Sequence, residues 1–113
     1  MSNHTPAFAG RTYQVRFDNG TVVRNSYAPD GATMSYQVVQ GPNEGLTESV
    51  DLHVAQIGAD LYYVNWIEAS GTTVGHVMDL GNDTVRAFWT YPDDGAATAG
   101  RTGELHTARL SDA

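Results

Sequence analysis

Apolar and polar residues alternate along this chain with a period of two, in short runs, and no window carries a helical stripe longer than two turns. Tyr13, Val15 and Phe17 alternate with Thr12, Gln14 and Arg16; Val50, Leu52 and Val54 alternate with Asp51 and His53. Val85, Ala87, Trp89 and Tyr91 likewise alternate with Arg86 and Thr90. Turn signals separate the runs: Asp18-Asn19-Gly20, Pro29-Asp30-Gly31, the glycine-bounded stretch 41–45, Gly58-Ala59-Asp60, Ser70-Gly71, Gly81-Asn82-Asp83 and Asp93-Asp94-Gly95. The pattern predicts eight strands, over 11–18, 21–28, 32–40, 48–57, 60–69, 72–80, 84–92 and 101–110. "EGLTESVDL" (44–52) comes closest to a helical turn.

Eight consecutive strands with mostly tight connections make an antiparallel meander, and a meander removes its exposed edges most completely by closing into a barrel. Eight strands leave an interior just wide enough for one small ligand. A sandwich uses similar local patterns but needs longer crossovers, and only 41–47 and the Gly/Ala-rich 93–100 offer them. The expected fold is therefore an all-β, eight-stranded antiparallel meander closed into one barrel domain over 8–110, with flexible tails at 1–7 (containing His4) and 111–113.

The run 60–69 does not declare its faces, because Leu61, Tyr63 and Ile67 are as apolar as Tyr62, Val64 and Trp66. The next hairpin helps, since loop length fixes register. A two-residue Ser70-Gly71 turn puts Thr73, Gly75, Val77 and Asp79 on the face of Glu68. A three-residue Ala69-Ser70-Gly71 loop, with Gly71 at positive φ, puts Thr72, Val74, His76 and Met78 there instead. The second set is the more apolar and suits a lumen. It carries Trp66 and Glu68 inward together, with His76 nearby.

Composition narrows the function. The 113 residues carry 13 acidic and 6 basic side chains, all of the latter arginine, for a net charge of −7. Nothing here neutralises a run of phosphates or an anionic membrane surface, so neither nucleic acid nor a membrane is an expected partner. There is no cysteine, which excludes thiol catalysis and thiolate metal sites. "MSNHTPAFAG" lacks the basic start and apolar core of a signal peptide, and a cytoplasmic location is expected. A homodimer is an assembly open to such a chain.

Glu is rarely fully buried without a partner. Desolvation of an inward Glu68 raises its pKa and lets it hold and donate a proton near neutrality; the plainer alternative is a solvated residue at the barrel mouth. His53, His76 and His106 show no H-x-H or H-x-x-x-H spacing, so no metal is expected. Nor is a cofactor, since no phosphate loop, dinucleotide fingerprint or nucleophile elbow is present. Tyr36, Tyr62, Trp66 and Trp89 form either an aromatic ligand wall or plain core. The 93–100 segment reads as a flexible loop, with a lid as the rarer option.

Two stretches together, "RTYQVRFDNGTVV" and "LYYVNWIEASGTTV", carry an aromatic-x-Asn-Gly turn and a Tyr-x-Val-x-Trp-x-Glu-x-x-Gly-Thr-x-Val element. The combination resembles the phenolic acid decarboxylases over roughly residues 8–92 and is similar to the small MoaF-type domains, whose pattern the closing "GRTGELHTARL" fits better. The resemblance implies a lipocalin-like (calycin) barrel in which Glu68 is the proton-handling residue. The tyrosine pair that holds the ligand in the decarboxylases falls on Val15 and Phe17, and the region of their arginine reads "GPNEGLTES", without one. The acid is kept and the polar clamp is absent. The leading expectation is a lumen lined by Tyr13, Val15, Phe17, Tyr36, Tyr62, Trp66, Val74 and Trp89, taking a small apolar or aromatic organic molecule. Glu68 and His76 would act in an isomerase-, cyclase- or decarboxylase-type step; a non-catalytic binder and an accessory interaction module are the alternatives.

Overall fold

The alternating runs become nine strands and no helix in a computed structural model, which describes residues 5–113. They are β1 Thr12–Phe17, β2 Val22–Tyr27, β3 Thr33–Gln40, β4 Thr47–Asp51, β5 His53–Gly58, β6 Leu61–Ile67, β7 Thr73–Asp79, β8 Thr84–Pro92 and β9 Arg101–Asp112. His4, assigned by the sequence to a tail, lies outside the described residues. The sheet order is β4-β3-β2-β1-β9-β8-β7-β6-β5, with every neighbouring pair antiparallel.

The strand count differs from the expected eight at one place. The run expected as a single strand over 48–57 breaks at Leu52: the part before it pairs with β3 and the part after it pairs with β6. The two ends of the sheet are thus consecutive in the chain, and one bent path nearly closes the barrel. β4 lies beside β6 without a ladder between them, which leaves a seam in the barrel wall. The whole of β5 is exposed, so Val54 does not join Val50 and Leu52 in the interior.

Alternation places Tyr13, Val15 and Phe17 of β1 inward, as expected, together with Val85 and Ala87 of β8. In β6 the ambiguity resolves in favour of Tyr62, Val64 and Trp66, all buried, while Tyr63 and Ile67 face outward. The β6–β7 connection is the three-residue one: Gly71 sits at φ +89° and Glu68 N–H donates to Thr72 O at 2.8 Å. A positive φ is adopted by glycine without the steric cost a Cβ would bring. Trp66 then pairs with Val74, Val64 with His76 and Tyr62 with Met78, on one inward face.

One end of the barrel is plugged. Phe8, in the turn before β1, is completely buried, 4.6 Å from the Tyr27 ring and 5.3 Å from the Tyr62 ring. Burying a phenylalanine contributes about 1.5–3 kcal/mol. Ala7, expected in a flexible tail, donates its N–H to Tyr62 Oη at 3.1 Å. At the other terminus β9 runs on through Ser111 and Asp112, and Ala113 N–H donates to Thr12 O, so these residues extend the sheet where a tail was expected.

Candidate functional site

With Phe8 filling one end, the open space of the barrel lies toward the other, in a cavity of about 290 Å³. This sits near the lower bound of ligand pockets, about 300 Å³. Of the expected lining, Phe17, Tyr36, Trp66, Val74 and Trp89 face it, together with Glu68 and His76. Tyr13, Val15 and Tyr62 do not. Alternation puts them on the correct face but not at the correct height: Tyr13 and Tyr62 pack around Tyr27 and Phe8 at the plugged end, and Val15 is core. None of the residues 93–100 lines the cavity.

Glu68 follows Trp66 by two positions, so both side chains leave the strand on the same side. The Trp66 indole Nε1–H donates to Glu68 Oε2 at 3.1 Å. Glu68 is half-buried, and its pKa is raised from the ordinary 4.5. Burial is the largest cause; the Trp66 hydrogen bond pulls the other way, the charge of Glu48 pushes up and the Tyr36 hydroxyl pulls down.

Glu48 is the residue that sequence reading did not single out. It stands on β4, across the seam from the end of β6, with each carboxylate oxygen engaged. Tyr36 Oη donates to Oε1 at 2.7 Å, and the Ala69 N–H donates to Oε2 at 2.7 Å. Both donors are neutral. The Tyr36 hydroxyl is pushed well above its usual range, by burial first and by the two carboxyls beside it. The only hint in the sequence was alternation within 44–52, which puts Glu48 on the same face of its strand as Val50.

His76 is 2 % exposed, and its Nδ1 has no hydrogen-bond partner. Its ring meets the Trp66 ring edge-on at 4.7 Å and lies 6.3 Å from Phe17. Burial lowers its pKa to about 4, so the imidazole is neutral at pH 7. It is joined to Glu68 through Trp66 rather than by a direct bond: the indole N–H holds the carboxylate and its ring packs on the imidazole. Among the described residues, the other two histidines stand elsewhere. His53 is exposed on β5, and His106 bridges Asp18 and Glu104 at 2.8 Å each, against Trp89. Polar groups the sequence did not flag also reach the cavity, notably Asn25, buried on β2, and Asn19 and Thr21 of the β1–β2 turn. The sequence offered Asn25 only as a break in the apolar alternation of its strand.

Comparison with known proteins agrees with this architecture. The MoaF-like family model matches residues 9–103. A Vibrio cholerae protein described as a "Probable phenolic acid decarboxylase" is 26% identical over 91 residues. That match covers 80% of this chain, which spans about half (52%) of the length of the Vibrio protein. The crystal structure of a "putative beta-lactamase" from Burkholderia vietnamiensis superposes with a TM-score of 0.82 at 32% identity, covering 98% of this chain and 100% of that one. Core-bradavidin, at 14% identity, shares the fold with a TM-score of 0.55 over 88% of this chain and 99% of its own.

Proposed function

This chain belongs to the MoaF-like family, and from that premise we propose that its barrel takes a small, largely apolar organic molecule into the cavity and that Glu68 gives or takes a proton there. The observation that carries the reading is the position of Glu68. It is the charged side chain on a wall otherwise built of aromatic, aliphatic and neutral polar groups, and burial raises its pKa. A carboxyl tuned upward in this way is suited to general acid or base work at pH values closer to neutrality.

A proton transfer of isomerase, cyclase or decarboxylase type asks of the protein a positioned carboxyl and an oriented ligand. Trp66 supplies the positioning bond, and Phe17, Trp89 and Val74 supply the apolar walls. His76, a neutral imidazole on the cavity wall, supplies a second polar contact. The decarboxylase description of the Vibrio relative supports proton chemistry at this glutamate. The β-lactamase description of the Burkholderia relative is not carried over as a Ser-x-x-Lys mechanism, because the chain contains no lysine.

The test is turnover of small aromatic and unsaturated compounds by the wild type and by Glu68→Gln, which keeps the shape of the side chain and an acceptor for the Trp66 N–H. The proposal expects conversion by the wild type and its loss in a variant that still folds. Undiminished turnover in Glu68→Gln removes Glu68 from the chemistry. Ligand binding in both proteins without conversion in either makes the barrel a binder.

A further inference from the structure

Two carboxyls meet at the end of the β4–β6 seam, and no cationic side chain is bonded to either. Glu68 lines the wall, and Glu48 stands close enough for its charge to act on Glu68. The groups that contact the pair are neutral donors: Tyr36 Oη and the Ala69 N–H on Glu48, and the Trp66 indole on Glu68. Among the described residues no arginine lines the cavity. Arg11 pairs with Asp112, Arg101 is bound to Gly71 O and Thr90, and Arg16, Arg24, Arg86 and Arg109 are exposed. A desolvated pair of like charges without a counter-charge is an arrangement that a positive group stabilises and a negative group makes worse.

The walls favour the same kind of group. Trp66, Trp89, Phe17 and Tyr36 present aromatic rings to the space beside the carboxyls, and the faces of such rings attract an ammonium. Deeper in, His76 is almost fully buried with Nδ1 unpartnered.

We propose that the molecule taken by this cavity is a small aromatic amine. Its protonated nitrogen lies against Glu68, with the charge of Glu48 behind it, and its ring lies among Trp66, Trp89 and Phe17. An aromatic carboxylate of the same size is disfavoured, because it would set a negative charge beside two carboxyls that have no cationic partner. This inference rests on the reading of the cavity as a ligand site and adds the charge of the ligand. It separates this barrel from a carboxylate-binding site, which needs a cationic clamp at the same place.

The experiment is calorimetric titration of the wild-type protein at pH 7 and low salt with three probes matched in shape: 2-phenylethylamine, 2-phenylethanol and phenylacetate. The expected order is amine, alcohol, acid, with the amine bound at least about tenfold more tightly than the alcohol. In Glu48→Gln, which keeps acceptors for Tyr36 and Ala69, the advantage of the amine over the alcohol shrinks. Binding of phenylacetate as tight as that of the amine overturns the inference, as does failure of all three to bind. The readout is binding, so it is independent of turnover. Amine selectivity together with undiminished turnover in Glu68→Gln leaves the ligand assignment standing and removes only the acid–base role. Loss of turnover in Glu68→Gln without amine selectivity does the reverse.

Discussion

The Trp66 indole N–H holds Glu68 Oε2 at 3.1 Å, linking a side chain of β6 to the one two positions on, just past the strand's end. The strand repeat of two therefore delivers an aromatic wall and an aimed carboxylate as one unit. The hydrogen bond favours the ionised carboxylate, against the burial that favours the protonated one. Replacing Trp66 by Phe removes the donor and keeps a ring. The Glu68 midpoint is expected to rise further in this variant, and stability to fall by about 1–3 kcal/mol through lost packing. Carbon-13 titration of the carboxyl checks the first effect and urea unfolding the second; a midpoint that falls contradicts the account.

Glu48 acts on Glu68 in the opposite sense. Its charge raises the Glu68 pKa, so Glu48→Gln is expected to lower the Glu68 midpoint. It should also ease the Tyr36 hydroxyl back toward its ordinary range, since part of that upward push comes from the bond to Glu48. Gln retains an oxygen for the Tyr36 or Ala69 donor, and the stability change should stay within about 1.5 kcal/mol, the net worth of a typical hydrogen bond. An unmoved Glu68 midpoint would show that the seam does not couple the two groups.

The barrel and its inward Glu68 were legible because they rest on local rules. Alternation assigned the faces of β1 and β8, and the more apolar of two possible partner sets on the next strand pointed to the inward face of β6, whose own sequence is apolar on both sides. What alternation cannot give is height along the barrel. Tyr13 and Tyr62 were expected in the ligand wall because they share a face with Phe17 and Trp66, but Phe8 occupies their end. Nothing periodic marks Phe8, which lies in a turn. Nor does any local signal mark the bend at Leu52, which comes from the chain exchanging β3 for β6 as partner. Glu48 was missed for the same reason: its bonds reach Tyr36 on the neighbouring strand and Ala69 across the seam.

The plug gives a direct stability prediction. Phe8→Ala opens a void between Tyr27 and Tyr62, and phenylalanine truncations in cores cost about 3–5 kcal/mol. The expected result is a large fall in the urea midpoint with an unchanged β-sheet circular dichroism spectrum at low denaturant. A loss under about 1 kcal/mol would mean that this end of the barrel closes without Phe8.

His76 makes stability depend on pH with a defined sign. Its pKa is lowered in the fold from 6.5 to about 4, so between these values the unfolded chain holds the proton and the native state does not. Stability therefore rises with pH across that window and falls as pH drops from 6.5 toward 4. The full difference is on the order of 3 kcal/mol. His76→Phe keeps a ring beside Trp66 and removes the titration, so its stability should depend less on pH in this window by an amount of that order. His106 works in the other direction. Burial lowers its pKa, but hydrogen bonds to Glu104 and Asp18 outweigh this and leave it raised. Its contribution is present below 6.5 and lost as pH rises through its folded value. Parallel stability profiles for wild type and His76→Phe would contradict the assignment of His76 as a neutral, buried imidazole.

The central claim is that Glu68 is a desolvated acid at a ligand cavity, and carbon-13 titration of its side-chain carboxyl tests it most directly, with Glu68→Gln assigning the signal. The account predicts a midpoint above the ordinary 4.5 in the free protein, moving down when a cationic aromatic ligand is added, because a positive partner favours the ionised form. A midpoint at or below 4.5 in the free protein would make Glu68 a solvated mouth residue, and the acid–base role proposed for it would fall.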